Sequence, residues 1–122
     1  MMNKDELNIG KLDKRISICE METVEGRLGN DKTVLKEKYV RWAEITPLKS
    51  KEQIVNYHDQ ADIVYKIIIR YIAGLKQNKH YIYYQGKVLN ITSIIDINMQ
   101  HKYYEILAQE EVEKEYEFSS QN

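Results

Sequence analysis

Cysteine, proline and tryptophan each occur once in the 122 residues, and those scarcities set the first limits. With Cys19 alone, an internal disulfide is impossible and a zinc site made of several thiolates is excluded. A reducing cytosol is the compartment that fits. Long apolar runs are missing too. Residues 67–69 and 88–97 fall far short of the roughly 20 residues that span a bilayer. Residues 1–15, MMNKDELNIGKLDKR, lack the apolar stretch of a secretory signal, so no export route and no membrane contact are expected.

Charge of one sign is also absent. Eighteen Lys and Arg face 19 Asp and Glu, for a formal net charge of -1, so no global basic field holds nucleic acid. The balance is uneven, however. Residues 109–122, QEEVEKEYEFSSQN, carry five Glu and one Lys, which leaves 17 basic and 14 acidic residues before them. A single folded domain over residues 1–111 is expected, followed by a solvated acidic tail over 112–122. A docking strip for a basic partner is the other reading of that tail.

What the chain does contain is period two, filled by β-branched residues and tyrosine, which is the pattern of strands. Residues 15–21 alternate with Ile16 and Ile18 on one face. Gly26, Gly29, Asn30 and Asp31 break the period, so 22–34 reads as a long hairpin connection. In 36–46, Ala43 and Ile45 share one face while Val40 and Trp42 share the other. Apolar residues on both faces imply a strand buried on both sides or a bulge that switches the faces. Trp42 is read as a packing anchor in the barrel or at a subunit seam, and Pro47 as the residue that ends this strand.

Residues 61–72 put Ile63, Tyr65, Ile67, Ile69 and Tyr71 on one face, with Asp62, Lys66 and Arg70 on the other. Residues 79–84 and 87–97 flank the two-residue turn Gln85-Gly86, and the second of these runs changes its apolar parity near Thr92 or Ser93, which predicts a bulge. The last strand, 101–109, presents Tyr104, Ile106 and Ala108 on one side. One segment is not strand-like: Ser50-Lys51-Glu52-Gln53 has the capping-box pattern and predicts a short helix over 51–60. The fold class is thus mainly β, a small antiparallel barrel of five to six strands. One short helix or long loop lies between the second and third.

No catalytic spacing emerges. His58-Asp59 falls at the predicted helix end, His80 and His101 flank strands, and Ser17 and Ser93 lie in strands without a base nearby. Cys19 reads as a strand residue rather than an activated thiolate. Gly26 and Gly29 lack the Gly-Lys-Ser/Thr ending of a phosphate loop. The chain is read as no enzyme, with no cofactor and no metal. Lys76, Lys79 and Lys87 could rim an oligonucleotide-binding barrel, and that nucleic-acid reading is the alternative.

The order of segments carries more. GKLDKRISI, WAEITPLKSKE, YKIIIRY, YYQGKVLNITSIIDI and KYYEILAQEE, in that order over residues 9–111, resemble the head-tail joining proteins of long-tailed phages, also called head-completion or stopper proteins. Gly10, Leu12, Arg15, Ile16 and Ile18 match the opening run, and Trp42, Ala43, Ile45, Pro47 and Leu48 the second. Ile67, Ile69, Arg70 and Tyr71 match the third, and Gly86 and Ile91 the hairpin.

The resemblance implies a structural virion protein of a phage or prophage. It would be a ring of twelve subunits, monomeric in isolation, beneath the portal and its adaptor ring, close to packaged DNA but without sequence-specific binding. The ring would close the filled head and offer a surface to the tail terminator. Residues 48–62 would project as an arm, with Leu48, Lys49, Lys51, Gln53, Ile54, Tyr57 and His58 as its interface residues.

Overall fold

In a computed structural model of the chain, residues 11–29, 31–48, 63–111 and 117–120 are described. They form seven strands: β1 (Lys14–Val24), β2 (Lys32–Leu48), β3 (Val64–Arg70), β4 (His80–Tyr84), β5 (Lys87–Asp96), β6 (Tyr103–Glu110) and β7 (Glu117–Ser119). The helix predicted over 51–60 lies outside the described residues. The sheet order β1-β4-β5-β6-β3-β2 returns to β1, so six strands close on one another through antiparallel ladders. Closure pairs the two strands at the ends of that order with each other, giving the ring of antiparallel strands that the sequence pattern called for.

The interior follows from the alternation. Ile16 and Ile18, Ala43, Ile67 and Ile69, Ile82, Leu89 and Ile91, Tyr104, Ile106 and Ala108 form one buried cluster. Small residues sit opposite large ones: Ala108 stands between Tyr65 and Ile91, and Ala43 opposite Ile69. Ile72 and Leu75, from the β3–β4 connection, add to this cluster. His80 is buried beside it, with its Nδ1 accepting the Lys76 N–H at 3.0 Å and its Nε2 lying 3.3 Å from Glu20.

Two local irregularities interrupt the ladders, and the first of them was expected. The register slips between Ile91 and Ser93, making Thr92 the extra residue of β5, and its hydroxyl donates to the Leu107 carbonyl at 3.1 Å. In β2, Ile18 opposes Tyr39 while Cys19 opposes Glu37, which leaves Lys38 as a bulge. The slip reverses the parity of the strand, so Glu37 and Leu35 leave the interior face and join Cys19 on the outside. The Gln85-Gly86 turn has positive φ at both residues, 51° and 79°, the geometry that suits the twist of a tight hairpin.

Pro47 does not end its strand. β2 runs on to Leu48, with Pro47 opposite Tyr65 and Leu48 opposite Val64. The ladder of β1 with β2 stops at Lys14 opposite Ala43, so beyond Ala43 only β3 pairs with this part of β2 among the described residues. A proline's missing N–H costs nothing on an edge with no partner strand. The tail expected after residue 111 includes β7, which pairs in parallel with Val34–Lys36 of β2.

Candidate interaction surface

Strand alternation places the large polar and aromatic residues that the core excludes onto the outer wall. Arg15 is opposite Trp42 in the β1–β2 ladder, and its guanidinium carbon lies 5.2 Å from the indole centroid. Trp42 remains 51% exposed, so the chain's largest side chain sits outside the core. The pattern repeats on the neighbouring pair of strands. Arg70 is opposite Tyr103 in the β3–β6 ladder and lies 5.5 Å from that ring. Arg70 follows Ile69 and Trp42 precedes Ala43, and Ile69 pairs with Ala43, so both cation–π pairs share one end of the β2–β3 ladder.

Such a patch has the chemistry of an interface rather than of catalysis. Tryptophan, tyrosine and arginine are the residues that most often dominate association energy, because they bury large area while keeping a polar handle. Sequence reading singled out Trp42 but not its partners Arg15, Arg70 and Tyr103 as a surface. The alternation held part of the signal, since Arg70 and Tyr103 both fall opposite core residues of their own strands.

The expected arm begins where β2 ends. Leu48 is 38% exposed at that end and Pro47 is exposed beside it, whereas Lys49, Lys51, Gln53, Ile54, Tyr57 and His58 lie outside the described residues. The structure thus brings Trp42, Pro47 and Leu48 onto one strand.

The lysines of the alternative reading are scattered by comparison. Lys79 Nζ lies 3.6 Å from Glu20, and Tyr83, on the neighbouring β4, is stacked on Phe118 with centroids 4.0 Å apart. The face of Tyr83 against Phe118 is therefore closed to a base. On the β5–β6 connection, Asp96 accepts the His101 N–H at 2.9 Å and also contacts its Nδ1, while Tyr71 stacks on that imidazole at 4.8 Å. Partial burial would raise the Asp96 carboxyl, but the bonds from His101 outweigh it and hold it below the usual carboxylate range. Among the described residues no group of three His, Cys, Asp or Glu could hold a metal ion.

Cys19 is fully buried on the outer face, and its thiol is pushed up to about 12 from 9.0, first by burial and then by the Glu37 charge. A thiol so placed is neutral throughout the ordinary pH range, and only the thiolate is nucleophilic. Alkylation by iodoacetamide at pH 8 is expected to be at least ~100-fold slower than in denaturant. The sign for stability follows. The fold favours the protonated thiol, so this contribution is complete below pH 9.0 and is lost as pH rises toward about 12. Melting curves of Cys19→Ala should lack that alkaline loss.

With the geometry in place, comparison with known proteins gives a consistent result. The sequence model of one family, phage head completion protein, matches residues 7–111. No curated protein matches the chain. Among solved structures, protein SF1141 of Shigella flexneri 2a is 28% identical with a TM-score of 0.62, covering 88% of this chain and 99% of that one. A chain from the virion of a native gene transfer agent particle aligns at 17% identity and a TM-score of 0.60, covering 84% and 97%. At that identity the second likeness is one of fold.

Proposed function

The chain belongs to the phage head completion protein family, and from that premise we propose that it is one subunit of a ring that closes the DNA-filled head. Its location is the virion and its role there is structural. The observation that carries the proposal is the extent of the family match, residues 7–111, which takes in all six strands of the closed sheet, from Lys14 to Glu110.

In this reading the ring has twelve subunits, sits beneath the portal and its adaptor ring, and offers its far side to the tail terminator. DNA passes close by without being read. The outer patch of Arg15, Trp42, Arg70 and Tyr103 lies at the seam between subunits. The arm of residues 48–62, with Leu48, Lys49, Lys51, Gln53, Ile54, Tyr57 and His58, projects toward the channel or a neighbouring ring.

A ring that must wait for its adaptor cannot self-associate strongly. The purified chain is therefore expected to sediment as a monomer, and to shift into a fast-moving complex when the cognate adaptor ring is added. A chain that stays monomeric beside that ring would contradict the placement.

A further inference from the structure

The six-stranded ring is complete without β7. That strand is three residues long, makes the sole parallel pairing among the described ladders, and gives no residue to the interior cluster. Yet it covers something. Leu35 and Cys19, both 0% exposed, stand apart from that cluster on the outer face, beside Glu37, which accepts a hydrogen bond from the Ser17 hydroxyl. Phe118 is opposite Leu35 in the β2–β7 ladder and stacks on Tyr83, which pairs with Ser17 across β1. Its ring therefore reaches from the β2 edge across the outer wall to β4 and roofs this small apolar cluster.

The seat is larger than its occupant. A groove of about 310 Å³, lined by Glu22, Val24, Val34, Lys36, Phe118 and Ser119, lies alongside β7. On the same edge of β2, β7 takes Val34–Lys36 and β3 begins at Ala43, so residues 37–42 have no partner strand on that side among the described residues. This open stretch ends at Trp42, in the patch assigned above to the subunit seam.

We propose that β7 is an exchangeable strand: in the assembled ring each subunit's residues 117–119 leave their own slot and fill the same slot on the neighbouring copy. The proposal rests on the ring reading. The chain is held as far as Glu111, whose N–H donates to the Val88 carbonyl at 2.8 Å. From there residues 112–116 can reach up to roughly 20 Å when extended. Exchange of an identical element recovers every contact the closed form has, so its cost is small, and a neighbour held in a ring supplies the donor at high effective concentration. A short strand with one aromatic contact is also the kind that opens first. In the free subunit the self-seated strand keeps an adhesive edge covered. In the ring the same strand ties copies together.

The test uses the pairing of Lys36 with Ser119. The full chain carrying Lys36→Cys and Ser119→Cys in a Cys19→Ala background is oxidised with copper phenanthroline, at rising concentration as purified protein and within particles. It is then run on a denaturing gel without reductant. Dilute protein should give internally bridged monomers. Particles should give a ladder of covalent oligomers in steps of one subunit, with loss of the monomer band, and concentrated protein a minor fraction of the same ladder, since free subunits associate only weakly. Monomers alone under all these conditions would overturn the proposal. If that variant does not fold, Val34→Cys with Glu117→Cys bridges the same two strands two pairs earlier. A reduced gel of the particles shows separately whether they contain the chain. Its absence there would fail the head-closure reading, while the concentration series on purified protein would still decide exchange.

Discussion

Replacing Ile67 with alanine is expected to destabilise the isolated chain by about 2–5 kcal/mol, through lost transfer energy and the cavity left behind. Ile67 is fully buried, and its strand neighbours on either side are Ile45 and Ile106, so three branched side chains meet in one row of the interior. Strands locked in a closed ring have little freedom to move into the gap, which places the cost toward the upper part of that range. Against a total of about 5–15 kcal/mol for a domain of ordinary stability, this is a large share. The melting midpoint should fall by roughly 8–20 °C, measured by calorimetry. A fall under about 2 °C would show that the interior described here is not the stabilising core.

Trp42→Ala is expected to do the reverse. The side chain is half exposed, and its main partner is the Arg15 guanidinium on the same outer face. Removing it should change the stability of the free chain by no more than about 1 kcal/mol, the size of one exposed cation–π contact. At a subunit seam the same truncation typically costs about 2–4 kcal/mol, or roughly 30- to 700-fold in association. Particles made with this variant should lack the chain, while the purified protein keeps its melting curve. Normal incorporation would remove the patch from the seam. A collapse of the melting midpoint would return Trp42 to the core.

The contrast between Ile67 and Trp42 also shows what could be read before the structure. Period two reports which face a residue occupies, so Ile67, Ile69, Ile106 and Ala108 were legible as interior, and the parity change in β5 announced the bulge at Thr92, whereas the bulge at Lys38 precedes the residues whose two apolar faces had raised the question in β2. The turn at Gln85-Gly86 was legible because only a few residue types accept positive φ. Period two does not report which strands are neighbours. Closure through the β1–β2 and β1–β4 ladders, and the meeting of Arg15 with Trp42, depend on register across connections whose lengths alone leave it open.

Pro47 misled for a related reason: whether a missing N–H matters depends on whether a partner strand is there to need it. β7 was hidden by composition. Five glutamates in residues 109–122 dominate a stretch whose one consequential side chain, Phe118, acts through contacts with residues some 35 to 80 positions earlier. The arm was legible only as a pattern after Pro47 and through resemblance, and apart from Leu48 it lies outside the described residues.

The central claim is that this chain completes the head of a virion. The direct measurement is electron microscopy of particles produced with and without it, counting heads that retain DNA and heads that carry tails. Without the chain, heads should package and then lose their DNA, and tails should accumulate unattached. Supplying the wild-type chain in trans should restore filled, tailed particles. If particles lacking the chain kept their DNA and joined tails at the normal frequency, the claim would be wrong.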